Sequence, residues 1–209
     1  MSGHTAGMSI RRGRRPRWHR LPPTAVVDLD GFADAIDPAR LDPGQFVRLV
    51  AVLEMLGSAG TGIELAGMRT ETFIRFLGRA SREQLEELTS HSELRHVVFA
   101  ELFRRMSEHL DTARTGELRA VVHWRFTGGA DDGYDRFETV IDRGRCVTRD
   151  MPTDDPRVTV TIGPVDFLRA VTGAVSLTML FLSGKVKVKG DIAFAAGLIG
   201  YFDLPRPIP

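Results

Sequence analysis

At Glu117 the spacing of apolar residues changes from about 3.6 to 2, and this change constrains the fold more than any other feature of the chain. Before it, Leu94, Val98, Phe99, Leu102, Phe103, Met106 and Leu110 recur at intervals of three and four, which predicts a long helix with a wide apolar face. After it, Leu118, Ala120, Val122, Trp124 and Phe126 alternate with Arg119, Val121, His123, Arg125 and Thr127, the pattern of a strand with one buried face. A glycine-rich turn leads into a second strand, Tyr134 to Asp142. Arg143-Gly144 turns again into Cys146 to Asp150. After a Pro/Asp loop, Val158, Val160 and Ile162 face one way and Arg157, Thr159 and Thr161 the other. Three or four antiparallel strands are therefore expected to follow one another directly.

Upstream, the helix starts are chemically marked. Asp42-Pro43-Gly44-Gln45 combines a capping acid, a proline at the first helical position and a glutamine three residues after the cap. Leu49, Val52, Leu53 and Leu56 are the expected buried stripe of that helix, which Gly57 should end. Ser81 with Gln84, and Ser90 with Glu93, predict two further capping boxes. Residues 1 to 38 lack a sustained period, and the first 20 hold six arginines and no acid, so this segment reads as a disordered basic arm. Downstream of the strands come helical residues at Val165 to Thr172 and Ser176 to Leu182, then a short strand, Lys185 to Lys189. A last helix runs from Asp191 to about Phe202.

Composition excludes several classes of function. A net charge of +1 over 209 residues supplies no overall field for nucleic acid, so none is expected as a partner. The single cysteine, Cys146, can form neither an internal disulfide nor a thiolate metal cluster. The longest uncharged stretch, Ala170 to Gly184, falls short of the roughly 18 apolar residues of a membrane span, and no apolar run follows the charged N-terminus. A cytoplasmic protein is expected. His91, His96, His109 and His123 lack metal-ligand spacing, and no nucleophile elbow or phosphate loop is present, so neither a cofactor nor an enzymatic activity is expected.

The final helix is apolar around nearly its whole circumference: Ile192, Phe194, Ala195, Ala196, Leu198, Ile199, Tyr201 and Phe202. Such a helix is either buried on every side or packs one side on protein and offers the other to an apolar ligand. All three lysines, Lys185, Lys187 and Lys189, alternate along one strand. They form either a solvated sheet edge or a contact for anionic lipid headgroups.

The runs Asp155-Pro156-Arg157-Val158-Thr159-Val160-Thr161-Ile162, Asp166-Phe167-Leu168 with Gly173, and Phe181-Leu182-Ser183-Gly184-Lys185-Val186-Lys187-Val188-Lys189-Gly190-Asp191 resemble the C-terminal half of the sterol carrier protein type two family. The order and spacing match without a gap, and the resemblance covers about residues 105 to 205. It implies an α+β fold, an α/β sandwich in which helices cover a five-stranded, mostly antiparallel sheet. A hydrophobic tunnel between the two layers would hold a sterol, fatty acid or acyl thioester. The wall residues it implies are Trp124, Phe126, Phe167, Val171, Leu177, Leu180, Phe181, Phe194, Leu198 and Phe202. The chain then divides into the arm (1–38), a helical extension (39–104) and the lipid-binding domain (105–209). The expected function is non-enzymatic lipid binding or transfer. The alternative is an accessory protein whose domain is filled by its own side chains and whose residues 42–110 bind a protein partner or a second copy. A third reading makes the chain an enzyme that uses His123 and Cys146.

Overall fold

The computed structural model describes residues 28–59, 65–129 and 133–205. Helices Leu29–Ala35 (α1), Pro43–Ser58 (α2), Thr70–Arg79 (α3), Arg82–Ser90 (α4), Ser92–Glu108 (α5) and Thr112–Thr115 (α6) precede strands Arg119–Thr127 (β1), Tyr134–Asp142 (β2), Arg145–Arg149 (β3) and Val158–Ile162 (β4). Pro164–Val171 (α7), Leu177–Leu182 (α8), Val186–Gly190 (β5) and Ile192–Gly197 (α9) follow, and Leu198–Tyr201 extends α9 as a tighter 3-10 turn.

Local chemistry starts α2, α4 and α9 as the residue pattern predicts. The Asp42 carboxylate accepts the Gln45 N–H at 2.8 Å, and the Gln45 side chain accepts the Asp42 N–H at 3.0 Å. Ser81 and Gln84 form the same reciprocal pair. The box expected at Ser90 and Glu93 does not form. Helix α4 runs on through Ser90, whose hydroxyl donates to the Glu87 carbonyl at 2.7 Å, and His91 precedes α5 without a side-chain cap. The buried stripe of α2 is also displaced from its expected phase. Phe46, Val47, Val50 and Leu53 face the core, whereas Val52 is 45% and Met55 62% exposed, because the stripe begins at Phe46.

Residues 28–38, expected to belong to the arm, carry regular structure. Asp28 caps α1 by accepting the Gly31 N–H at 3.0 Å, and α1 buries Leu29 and Ala33 against its neighbours. A helix of two turns is too short to show a period in sequence. The first 27 residues of the expected arm lie outside the described residues.

The sheet has the order β3-β2-β1-β4-β5. Its pairs are antiparallel except β1 with β4, which is parallel. The expectation of a fourth directly antiparallel strand is thereby corrected. Residues 150–157 cross the sheet instead of forming a hairpin, and Glu138 fixes the crossing. Its carboxylate, fully buried in the middle of β2, accepts the Thr153 N–H at 3.0 Å and the Asp154 N–H at 2.8 Å. His123 Nε2 lies 3.0 Å from the Asp154 carbonyl on the same face. Burial acts to raise the Glu138 pKa, but the two backbone donors and His123 outweigh it and hold the pKa below the usual carboxylate value.

The register places Ala120, Val122, Trp124 and Phe126 on one face with Phe137, Thr139 and Ile141 of β2, Val158, Val160 and Ile162 of β4, and Val186 and Val188 of β5. Helices cover this face. Helix α5 packs along β3, α8 and α9 pack on β5, and α3 and α4 pack on α7 from outside. The expected division at residue 104 falls inside α5, whose Phe99 and Phe103 join the rings of the sheet. Helix α5 is thus a shared wall, and its Arg105 ties down the segment before α3. The buried guanidinium donates to Glu101 at 2.6 Å and to the Leu65 and Met68 carbonyls at 2.8 and 2.7 Å.

Candidate functional site

The covered face of the sheet has two regions of different character. Under α5 and α7 it is filled by aromatic rings. Phe99 lies 4.3 Å from Phe126, Phe103 lies 5.1 Å from Phe137, and Phe167 lies 4.8 Å from Phe126 and 5.3 Å from Trp124, measured between centroids. The Trp124 N–H donates to the Thr139 hydroxyl at 3.0 Å, so the polar edge of the largest ring is satisfied inside the core. Trp124, Phe126 and Phe167 are fully buried here and line neither cavity described below.

Under α8 and α9 the packing opens. An apolar pocket of about 60 Å³ lies between β4 and β5 on one side and α8 and α9 on the other, lined by Val160, Leu177, Phe181, Val188, Ile192 and Ala195 among others. Leu177, Thr178 and Ala196 line this pocket and also a larger cleft of about 720 Å³, so the two spaces adjoin. The cleft runs between the segment joining α7 to α8 and the chain after α9. It holds Val171, Val175, Ile199 and Phe202 together with the polar groups of Ser176, Thr178, Arg114, Asp111 and Asp203. Of the ten expected wall residues, Val171, Leu177, Phe181 and Phe202 therefore border these spaces. Leu180, Phe194 and Leu198 are buried behind them, with Phe194 stacked on Tyr201 at 5.7 Å.

The far wall of the cleft is tethered at both ends. Asp191 caps α9 by accepting the Phe194 N–H at 2.9 Å and pairs with Arg157 at 2.8 Å, and this guanidinium lies over the Phe194 ring. These hydrogen bonds lower the Asp191 pKa. At the other end the Asp111 N–H donates to the Tyr201 carbonyl at 2.8 Å and the Asp203 N–H to the His109 carbonyl at 2.7 Å. The Arg114 guanidinium donates to the Gly200 carbonyl. Arg114 gave no sequence signal, because its place at the cleft depends on a contact with a residue 86 positions away. Val160 and Val188 were legible as inward-facing and Ile192 only as part of a helix apolar all round, but nothing local distinguishes a strand residue beside a cavity from one beside a ring.

Cys146 and His123 are not brought together. Cys146 pairs in register with Ile141 on the covered face, and its thiol lies 3.4 Å from the Ser107 hydroxyl. His123 lies on the opposite face. Burial pushes the Cys146 pKa up, which disfavours the nucleophilic thiolate. Among the described residues, no three His, Cys, Asp or Glu side chains are placed to hold a metal ion, and no helix is long and apolar enough to cross a membrane.

The family model described as the SCP-2 sterol transfer family matches residues 99–203, half of the chain. The chain belongs to this family. The matched segment begins within α5, and so includes the helix that supplies Phe99 and Phe103 to the aromatic cluster. Rat hydroxysteroid dehydrogenase-like protein 2 is 32% identical over 98 residues, which is 47% of this chain but 18% of that protein. The chain thus corresponds to about a fifth of this relative. Among solved structures, a protein titled UbiJ-SCP2 ubiquinone synthesis protein aligns at 20% identity with a TM-score of 0.41, covering 51% of this chain and 88% of its own. Sterol carrier protein 2 like 2 from Aedes aegypti aligns at 18% identity with a TM-score of 0.39, covering 50% and 93%.

Proposed function

We propose that the protein is a non-enzymatic intracellular lipid carrier that holds a fatty acid, acyl thioester or sterol-like molecule in the cleft between α7–α8 and α9. One observation carries the reading: the apolar pocket against β4 and β5 adjoins a larger cleft with polar groups at its rim. An amphipathic ligand with a long apolar part suits this gradient, its chain end against Val160 and Val188 and its polar end near Ser176, Thr178 and Arg114. Val171, Leu177, Phe181 and Phe202 would touch the ligand, while Trp124, Phe126, Phe167, Leu180, Phe194 and Leu198 form the packed support behind it. Each methylene removed from water contributes about 0.8 kcal/mol, so binding needs no catalytic group. Lys185, Lys187 and Lys189 would serve the same role by meeting anionic headgroups.

The test is mass spectrometry, native and after solvent extraction, of the purified protein. A stoichiometric lipid supports the carrier reading and identifies its ligand class. A clean apo-protein that also refuses a fluorescent fatty acid overturns it. The aromatic cluster favours a second reading in that case, because most of the space between helices and sheet is occupied by the protein's own rings. The protein would then be an accessory subunit binding a partner or a second copy through residues 42–110, where Val52 and Met55 are exposed on α2. Light scattering after size exclusion detects the second copy.

A further inference from the structure

Helix α8 leaves most of its apolar side chains in water. Of its six residues only Leu180 is buried, while Met179 is 61%, Phe181 41% and Leu182 73% exposed. Ile192, at the start of α9 and across the mouth of the apolar pocket from Phe181, is 54% exposed. Four large apolar side chains on two adjacent elements are a patch of the kind that soluble proteins cover. The flanking charge is basic. Lys185 stands in the turn after α8, and Lys187 and Lys189 project from the opposite face of β5, all three exposed. Strand β5 is the outer strand of the sheet, so a surface that meets it edge-on touches α8 on one side and these lysines on the other. The acids on the neighbouring segments are engaged: Asp191 pairs with Arg157, and Asp166 faces Arg82 at 3.5 Å and Lys185 at 3.9 Å.

The N-terminal end of α8 has no side-chain cap, whereas its C-terminal end is closed by a glycine cap in which the Gly184 N–H donates to the Phe181 carbonyl at 3.0 Å and the Lys185 N–H to the Leu180 carbonyl at 2.9 Å. Lys185 links its C-terminal end to Asp166 of α7 by a single ion pair at 3.9 Å. An anionic surface that competes for Lys185 weakens that link. Helix α8 carries Leu177, Thr178 and Phe181 of the cavity wall, so a surface that meets α8 lies beside the cavity.

We propose that α8 and the β5 edge form a docking surface for anionic lipid bilayers. Met179, Phe181, Leu182 and Ile192 insert among the acyl chains while Lys185, Lys187 and Lys189 meet the headgroups. The inference deepens the carrier reading, but its test is independent of cargo.

The experiment is vesicle co-sedimentation of the full chain with phosphatidylcholine alone and with phosphatidylcholine containing about one-third phosphatidylglycerol. Met179→Ser/Leu182→Ser and Lys187→Glu/Lys189→Glu variants are measured beside the parent, and fatty-acid uptake is recorded for each. Neither Met179 nor Leu182 lines the cavity, so uptake is expected to be unchanged. The parent should bind the anionic vesicles and not the neutral ones. The serine variant should lose at least about tenfold in partitioning, from two apolar side chains returned to water. The glutamate variant should lose about fivefold or more for each lysine reversed, and added salt should weaken parent binding. Failure of the parent to bind anionic vesicles, or equal binding by the serine variant with unchanged circular dichroism, overturns the proposal. Absence of uptake by a parent that also carries no co-purified lipid refutes the carrier reading and leaves the docking result standing on its own.

Discussion

Val188→Phe tests the placement of the ligand's chain end. Val188 is half-buried on β5, lines the apolar pocket and pairs in register with Val160. A phenyl ring suits an edge strand and fills a space already present, so the cost in stability should stay within about 1–3 kcal/mol. The pocket, at about 60 Å³, accommodates roughly two to four groups the size of a water molecule or methylene. At about 0.8 kcal/mol per methylene, its occupation by a chain end contributes about 1.6–3.2 kcal/mol, or roughly 15- to 200-fold in affinity. The assay is displacement of a fluorescent fatty acid by a saturated series of increasing chain length. The parent should gain affinity with each added methylene until the pocket is full. The variant should follow the parent for short chains and stop gaining about two to four carbons earlier. An unchanged profile, or an equal loss at every chain length, would refute the assignment of this pocket to the chain end.

Three further outcomes follow from the scaffold. Glu138→Gln should destabilise by about 1–3 kcal/mol near neutral pH: the amide oxygen can still accept from the Thr153 and Asp154 N–H groups, which share Oε2, but an NH2 in place of Oε1 faces the Arg149 guanidinium at 3.5 Å and the negative charge is lost. The folded-state pKa of Glu138 is lowered, so the unfolded chain binds its proton first. Its stabilisation is complete above the ordinary carboxylate value and declines as pH falls through the depressed one; denaturant melts of parent and variant should converge at acid pH, and parallel curves down to low pH would contradict this. Arg105→Ala should cost about 2–4 kcal/mol, since the buried Leu65 and Met68 carbonyls lose their donor while Glu101 keeps only its pair with Arg104; a thermal shift within a degree or two of the parent would count against that role. Gly190→Ala should be strongly destabilising, because φ is 104° and the added Cβ would lie 2.4 Å from the Arg157 carbonyl oxygen; a parent-like melt would show that the β5–α9 turn is not so constrained.

The fold was largely legible because its signals are local and redundant. Alternation in β1 and β4 identifies the inward residues, and the capping pairs at Asp42 and Ser81 lie within four residues of each other. Structure and residue pattern part where the partner of a segment is distant. The phase of the α2 stripe depends on which neighbours it meets, and the parallel pairing of β4 depends on a loop that crosses the sheet and is stapled by Glu138. The candidate site was less legible still. Trp124 and Val160 are neighbours in register and equally inward-facing, yet one is packed among rings and the other borders the pocket.

The amino-acid sequence alone determined which strand residues turn inward, where α2, α4 and α9 begin, and that the last third of the chain carries more apolar surface than an ordinary helix layer displays. These follow from backbone period and from capping over a few residues, so they need no knowledge of the rest of the molecule. The tertiary structure decided that Phe99 and Phe103 of α5 pack on the rings of the sheet, that an apolar pocket and a larger cleft adjoin under α8 and α9, and that Arg114 stands at the rim of that cleft. Whether an inward apolar side chain meets another side chain or an empty space is a matter of volumes contributed by elements far apart in the chain, and those are added up only in the packed structure.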